Sequence, residues 1–262
     1  MGRLDQMWKS TPPGQGRLLV YLMAGDPSPQ KSLEYARAVL QHADAIEIGV
    51  PFSDPVADGP VIERAGVRAL ANGASPADAF GLAATLRSHT QKPILVMTYY
   101  NPILQVGLKP FAATCRATGV DGVIVPDLPV EESGPLTEAL AGAGVDLVQL
   151  AAPSSPDKRL RKLGEATRGF LYLVGAYGVT GARAQVGNDA TALVARAKAA
   201  APNVPVAVGF GVSAPDHVAA LVKAGANGVI VGSAVVKRIE DGQAPEEVAA
   251  FVKSLKEGTV GA

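Results

Sequence analysis

One pattern repeated eight times constrains this chain more than any other. A short, β-branched apolar run is followed by a loop marked with glycine or proline, and then by an alanine-rich amphipathic stretch. The runs read as strands are Leu18–Met23, Ala45–Ile48, Ile94–Thr98, Gly122–Val125, Leu147–Leu150, Phe170–Val174, Val204–Val208 and Gly228–Val231. Helical stretches lie near Gln30–Leu40, Pro76–Ser88, Phe111–Ala117, Pro135–Ala141, Asp157–Glu165, Ala190–Ala200, Pro215–Lys223 and Ala234–Asp241, with a last one at Pro245–Leu255. Strand and helix in strict alternation specify a parallel sheet. Eight such units favour closure into a barrel, because an open doubly wound sheet usually has fewer strands. The expected fold is therefore α/β, a single (β/α)8 TIM barrel with an extra N-terminal helix. Gly119-Val120-Asp121-Gly122, Gly144-Val145-Asp146 and Gly225-Ala226-Asn227-Gly228 each fit a glycine ending a helix just before the next strand.

A length of 262 residues is typical of one such barrel. No linker, low-complexity tract or composition break divides the chain, so residues 1–262 are expected to form one domain. The Ser10–Gly16 stretch reads as a flexible lead-in after the N-terminal helix. With 48% hydrophobic and 18% charged residues, the chain has enough apolar mass for a well-buried core. Lys+Arg 24 balance Asp+Glu 24, which removes any electrostatic reason to expect nucleic acid or an anionic membrane as partner. Cys115 is the only cysteine, so an intrachain disulfide and a structural cysteine zinc site are both excluded. Met1–Lys9 lacks the apolar run of a secretory signal, and no apolar stretch approaches membrane-spanning length. The expected location is the cytoplasm.

In a barrel of this kind the chemistry belongs at the C-terminal ends of the strands and in the loops that follow them. Glu47 stands there, inside the apolar run Ala45-Ile46-Glu47-Ile48-Gly49. Period-2 alternation puts Ile46 and Ile48 on the helix-facing side and turns Glu47 into the barrel. A buried, unpaired carboxylate is costly as an anion, so its pKa should rise toward the range useful for proton transfer. The alternative is a structural glutamate paired with a buried Arg or Lys. The loop Gly49–Pro60 adds Asp54 and Asp58 and is long for its place. Asp58 reads either as a second catalytic acid or as a helix N-cap before Gly59-Pro60.

Glycine-rich ends follow the sixth, seventh and eighth strands: Gly178-Val179-Thr180-Gly181, Gly209-Phe210-Gly211-Val212-Ser213 and Gly232-Ser233. Together they suit a phosphate held by backbone N–H groups and a helix N-terminus. His42, His89 and His217 sit in helical contexts, so no Ser-His-Asp arrangement is available, and no spacing suggests a metal. Cys115 reads as a packing residue.

The segment Ala45–Pro60, AIEIGVPFSDPVADGP, closely resembles the most diagnostic stretch of the tryptophan synthase alpha chain family. Ala24-Gly25-Asp26-Pro27, Met97–Pro102, Pro126–Pro129, Gly178–Gly181, Val208–Ser213 and Val231–Ser233 extend the resemblance, in family order, across nearly the whole chain. The resemblance implies retro-aldol cleavage of indole-3-glycerol phosphate to indole and glyceraldehyde 3-phosphate, without metal or organic cofactor. It casts Glu47 as the proton-shuttling acid/base and Asp58 as the carboxylate that accepts the indole N–H. Gly181, Phe210, Gly211, Gly232 and Ser233 match the phosphate-binding positions. Tyr172 matches a tyrosine beside the substrate, and Thr180 a mobile-loop threonine. The implied partner is a tryptophan synthase beta chain in an alpha2-beta2 complex, and the pyridoxal phosphate of that complex belongs to the beta chain.

The chain departs from the family at Val174-Gly175-Ala176-Tyr177, where a serine-rich stretch is usual before the GVTG motif. That difference bears on loop closure and on communication with the partner. Two other readings stand beside the family one: a standalone lyase that releases free indole, and a non-catalytic barrel that binds a phosphate ligand and regulates a partner chain.

Overall fold

The computed structural model describes residues 1–175, 188–209 and 211–260. The chain opens with helix α1 (Arg3–Lys9), strand β1 (Arg17–Met23), α2 (Pro29–Leu40) and β2 (Ala45–Gly49). It continues through α3 (Pro60–Ala71), α4 (Pro76–Arg87), β3 (Ile94–Met97), α5 (Tyr100–Val106), α6 (Leu108–Ala117) and β4 (Gly122–Ile124). Then come α7 (Gly134–Ala143), β5 (Asp146–Ala151), α8 (Asp157–Ala166), β6 (Leu171–Val174) and α9 (Asn188–Ala200). The last elements are β7 (Val206–Gly209), α10 (Pro215–Lys223), β8 (Gly228–Val231), α11 (Ser233–Glu240) and α12 (Pro245–Glu257).

The strands pair in chain order, all parallel, and β8 returns to β1 to close the barrel. All eight expected strands are present with ends shifted by a residue or two. The strand expected from Val204 begins at Val206, because Pro205 has no N–H for the ladder. Helix α5 was not anticipated, and α3 was expected only in the alternative that made Asp58 an N-cap. In α3 and α5 proline falls within the first turn, where its missing N–H costs nothing, so Pro60 and Pro102 permit the helices they seem to interrupt. The α3 N-cap is Gly59, with no side-chain cap bond, so Asp58 is not the N-cap and its carboxylate is free for another use. The glycines expected to end helices do so with positive φ: Gly119 at 74°, Gly144 at 74° and Gly225 at 101°.

Strand alternation divides the core into two shells. Outward residues such as Leu18, Val20, Leu22, Ile46 and Ile48 pack under the helices. Inward residues including Leu19, Ala45, Leu95, Ile124, Val148, Ala207 and Ile230 fill the barrel together with Leu4, Met7 and Trp8 of α1. Helix α1 thus caps the N-terminal end. Trp8 meets Phe170 edge-on, with ring centroids 5.6 Å apart. Fully burying a side chain of this size contributes about 1.5–3 kcal/mol. Among the described residues, no helix plugs the C-terminal end in this way. Among the described residues, no helix is long and apolar enough to cross a membrane.

Candidate functional site

The open end of the barrel holds a cavity, and the strand ends decide what faces it. Inward parity on β2 brings Glu47 to its floor, in register with Tyr21 of β1 on one side and Leu95 of β3 on the other. The same parity places Gly49 above Glu47, Gly209 at the end of β7 and Gly232 after β8. These glycines make room for rings. A Cβ at Gly49 would lie 2.0 Å from the Tyr21 hydroxyl, and one at Gly209 would lie 2.8 Å from Cε2 of Tyr172. Tyr172, predicted as a substrate contact, lines this cavity.

Glu47 is 1% exposed, and among the described residues neither of its carboxyl oxygens has a hydrogen-bond partner. Among the described residues, the structural alternative of a paired Arg or Lys is not realised. Burial, reinforced by the charge of Asp58, pushes its pKa up to about 8. Asp58 reaches the same cavity from the loop after β2. Burial raises its pKa to about 6, although the Tyr99 hydroxyl beside it lowers the value and Glu63 acts in the opposite sense. At neutral pH, Glu47 carries its proton and Asp58 is mainly ionised. Asp54 is exposed, accepts a hydrogen bond from its neighbour Ser53 Oγ at 2.5 Å, and does not line the cavity.

Tyr99 fixes this loop. Its hydroxyl accepts a hydrogen bond from the Ala57 N–H at 3.0 Å, and its ring stacks on Phe52 with centroids 5.3 Å apart. The side walls are apolar, formed by Ile62, Met97, Leu150 and Ile230 among others. On the far side lie Gly211, with φ at 59°, then Gly232 and Ser233. Ser233 is the first residue of α11, whose opening N–H groups have no intrahelical acceptor and carry the positive end of the helix dipole. This edge suits an anion. Of the other predicted contacts, Thr180, Gly181 and Phe210 lie outside the described residues, as do Ala176 and Tyr177 of the atypical segment.

Two polar residues of the site escaped the sequence reading. Tyr21 sits in an uncharged apolar run, where only parity marks it as inward. Tyr99 acts on a loop 42 residues earlier, a contact with no local signature. The histidines lie elsewhere: His217 Nδ1 receives the Ser213 N–H at 3.4 Å, and His89 meets Arg37. Cys115 is buried, with its thiol pushed up to about 12 by burial, as fits packing. Among the described residues no group of three or more His, Cys, Asp or Glu is placed to hold a metal.

Comparison with known proteins adds the family. The sequence profile described as tryptophan synthase alpha chain matches residues 8–260. The chain is 47% identical over 246 residues to the tryptophan synthase alpha chain of Pyrococcus furiosus, covering 94% of this chain and 98% of the relative. It is also similar to a solved structure of the tryptophan synthase a2b2 complex from that organism, with a TM-score of 0.86 at 45% identity, covering 95% of this chain and 99% of the other. A solved chain from Aquifex aeolicus gives a TM-score of 0.90 at 38% identity, covering 99% of each.

Proposed function

The chain belongs to the tryptophan synthase alpha chain family, and from that premise we propose that it is a lyase cleaving indole-3-glycerol phosphate to indole and glyceraldehyde 3-phosphate. The observation that carries this reading is a pair of carboxyl groups in one cavity whose environments separate their pKa values, Glu47 at about 8 and Asp58 at about 6. Such a pair divides acid and base work at a single pH.

In this reading the neutral Glu47 protonates C3 of the indole ring. The ring becomes a cationic indolenine, and the Asp58 carboxylate accepts the hydrogen bond of its N–H and stabilises the charge. Glu47, now a carboxylate, takes the proton of the side-chain hydroxyl next to the ring. The C–C bond breaks, its electron pair returns to the indole, and the C–O bond becomes the aldehyde carbonyl. Glu47 ends protonated, as it began. Gly211, Gly232 and Ser233 hold the phosphate, joined by Gly181 and Phe210. Tyr172 and the apolar walls seat the ring, and the family resemblance assigns Thr180 to substrate binding. Only proton transfers are needed. Pyridoxal phosphate is assigned to the beta-chain partner, with which the chain forms an alpha2-beta2 complex in the cytoplasm, as one domain spanning residues 1–262.

The test is indole release from indole-3-glycerol phosphate by the purified chain, with and without a cognate beta chain. Slow turnover that rises sharply with the partner is the expected result. Fast turnover by the chain alone would make it a standalone lyase, and none under either condition would overturn the reading.

A further inference from the structure

Tyr21 has no part in the chemistry just described, yet it lines the cavity. It is the register partner of Glu47 across the β1–β2 ladder. Its ring crosses to the neighbouring strand: a Cβ at Gly49 would lie 2.0 Å from the hydroxyl oxygen and 2.5 Å from Cζ. The hydroxyl therefore ends against the inner face of Gly49, two residues beyond Glu47 on the same strand. Tyr21 and Glu47 both line the cavity. Gly49 also begins the loop that carries Asp58.

The hydroxyl is poorly satisfied. Tyr21 is 5% exposed, and among the described residues its hydroxyl meets only Met23 Sδ, at 3.9 Å, a weak acceptor. A buried O–H without a good partner is destabilising, and such groups are retained where a ligand supplies the missing acceptor. The Glu47 oxygens, in the same cavity, are likewise without partners among the described residues. One cavity thus presents a donor and an acid, both open to the same bound molecule.

We propose that Tyr21 is a further substrate-contacting catalytic residue, whose O–H donates to the oxygen of the hydroxyl next to the indole ring and turns that hydroxyl's proton toward Glu47. The proposal rests on the reading that Glu47 accepts this proton. As the proton leaves, negative charge grows on the oxygen and the phenolic hydrogen bond strengthens, so the interaction favours the transition state over the bound substrate. The oxygen then becomes the aldehyde carbonyl, and Tyr21 keeps its own proton throughout. Burial and the nearby carboxylates hold the phenol's pKa well above the ordinary value, which keeps it a donor.

The experiment compares wild type, Tyr21→Phe and Glu47→Gln, each with a cognate beta chain. Turnover of indole-3-glycerol phosphate is measured alongside the affinity for indole-3-propyl phosphate, which lacks the side-chain hydroxyls. Tyr21→Phe should lower kcat about tenfold to a hundredfold, the scale of a hydrogen bond to a charged group. Its affinity for the propyl phosphate should stay within about twofold of wild type, because that ligand offers the phenol no acceptor. Unchanged kcat, or an equal loss of affinity for the propyl phosphate, would reduce Tyr21 to a packing residue and overturn the proposal. Glu47→Gln separates the two levels. If it is inactive while Tyr21→Phe is fully active, only the Tyr21 role fails. If Glu47→Gln turns over normally, the proton-transfer reading fails and takes the Tyr21 role with it.

Discussion

At the N-terminal end of the barrel, Gly228 makes room for Trp8, whose Cη2 would lie 2.8 Å from a Cβ placed there, and Gly122 does the same for Leu4 at 3.1 Å. At the C-terminal end, Gly49 and Gly209 yield space to the rings of Tyr21 and Tyr172, beside the two raised carboxyl groups. The same strands and the same residue type serve both ends. Below, the space released is filled by α1, and its return is packing energy. Above, it is taken by tyrosine rings at the edge of a cavity. Among the described residues Trp8 Nε1 lacks a partner below and the Glu47 carboxyl above, and the carboxyl faces the cavity that a ligand can enter.

The contrast breaks most visibly if a substitution at the open end changes turnover without lowering stability. Glu47→Gln should reduce indole release by about 10³–10⁴-fold while ligand binding, followed by calorimetry, persists. Its stability should change in the opposite direction. The folded pKa of Glu47 lies above the ordinary value of 4.5, so the native state binds the extra proton and wild-type stability falls as pH rises from about 4.5 to about 8. The variant removes that dependence, and its Tm advantage should grow between pH 5 and pH 8. A variant less stable than wild type at pH 8 would contradict this.

Asp58→Asn comes next, with an expected loss of about 10²–10³-fold in kcat for want of a charge facing the indole nitrogen. In the wild type, kcat should decline below about pH 6, where Asp58 gains a proton, and above about pH 8, where Glu47 loses its own. A profile flat from pH 5 to pH 9 would detach the two carboxyl groups from the reaction. Trp8→Ala should do the reverse, destabilising by about 3–5 kcal/mol in a denaturant melt. Its kcat should remain within about twofold of wild type at a temperature where the variant is folded. The smallest and sharpest test pairs Gly228→Ala with Gly49→Ala, ring clashes at opposite ends, the nearest atom at 2.8 Å in the first and 2.0 Å in the second. Overpacking should cost about 1–3 kcal/mol in each, but only Gly49→Ala, which pushes on the Tyr21 hydroxyl, should lower kcat.

Parity and alternation made the barrel and Glu47 legible in the sequence, because a charge at an inward position of an apolar run has few bland explanations. The glycine ends of the last two strands were legible by their recurrence at successive strand ends, and Gly211, Gly232 and Ser233 line the cavity. Helix α5 was not legible, and α3 only as one of two readings of Asp58, because prolines in their first turns resemble breaks when read without knowing where the turn begins. Tyr21 was hidden by its neighbours in Leu18–Met23, where a tyrosine looks like one more β-former. Tyr99 was hidden by distance in the chain, since its bond to Ala57 depends on two loops brought together by the closed barrel.

Closure of β8 onto β1 also decides how another chain can be met. A sheet joined to itself has no free border on which a foreign strand could add, so the main route to unplanned self-association is removed at the level of topology. Recognition is left to helices and to the loops above the strands. Those loops also carry the chemistry, so a change that alters who binds and a change that alters what reacts must compete for the same few residues.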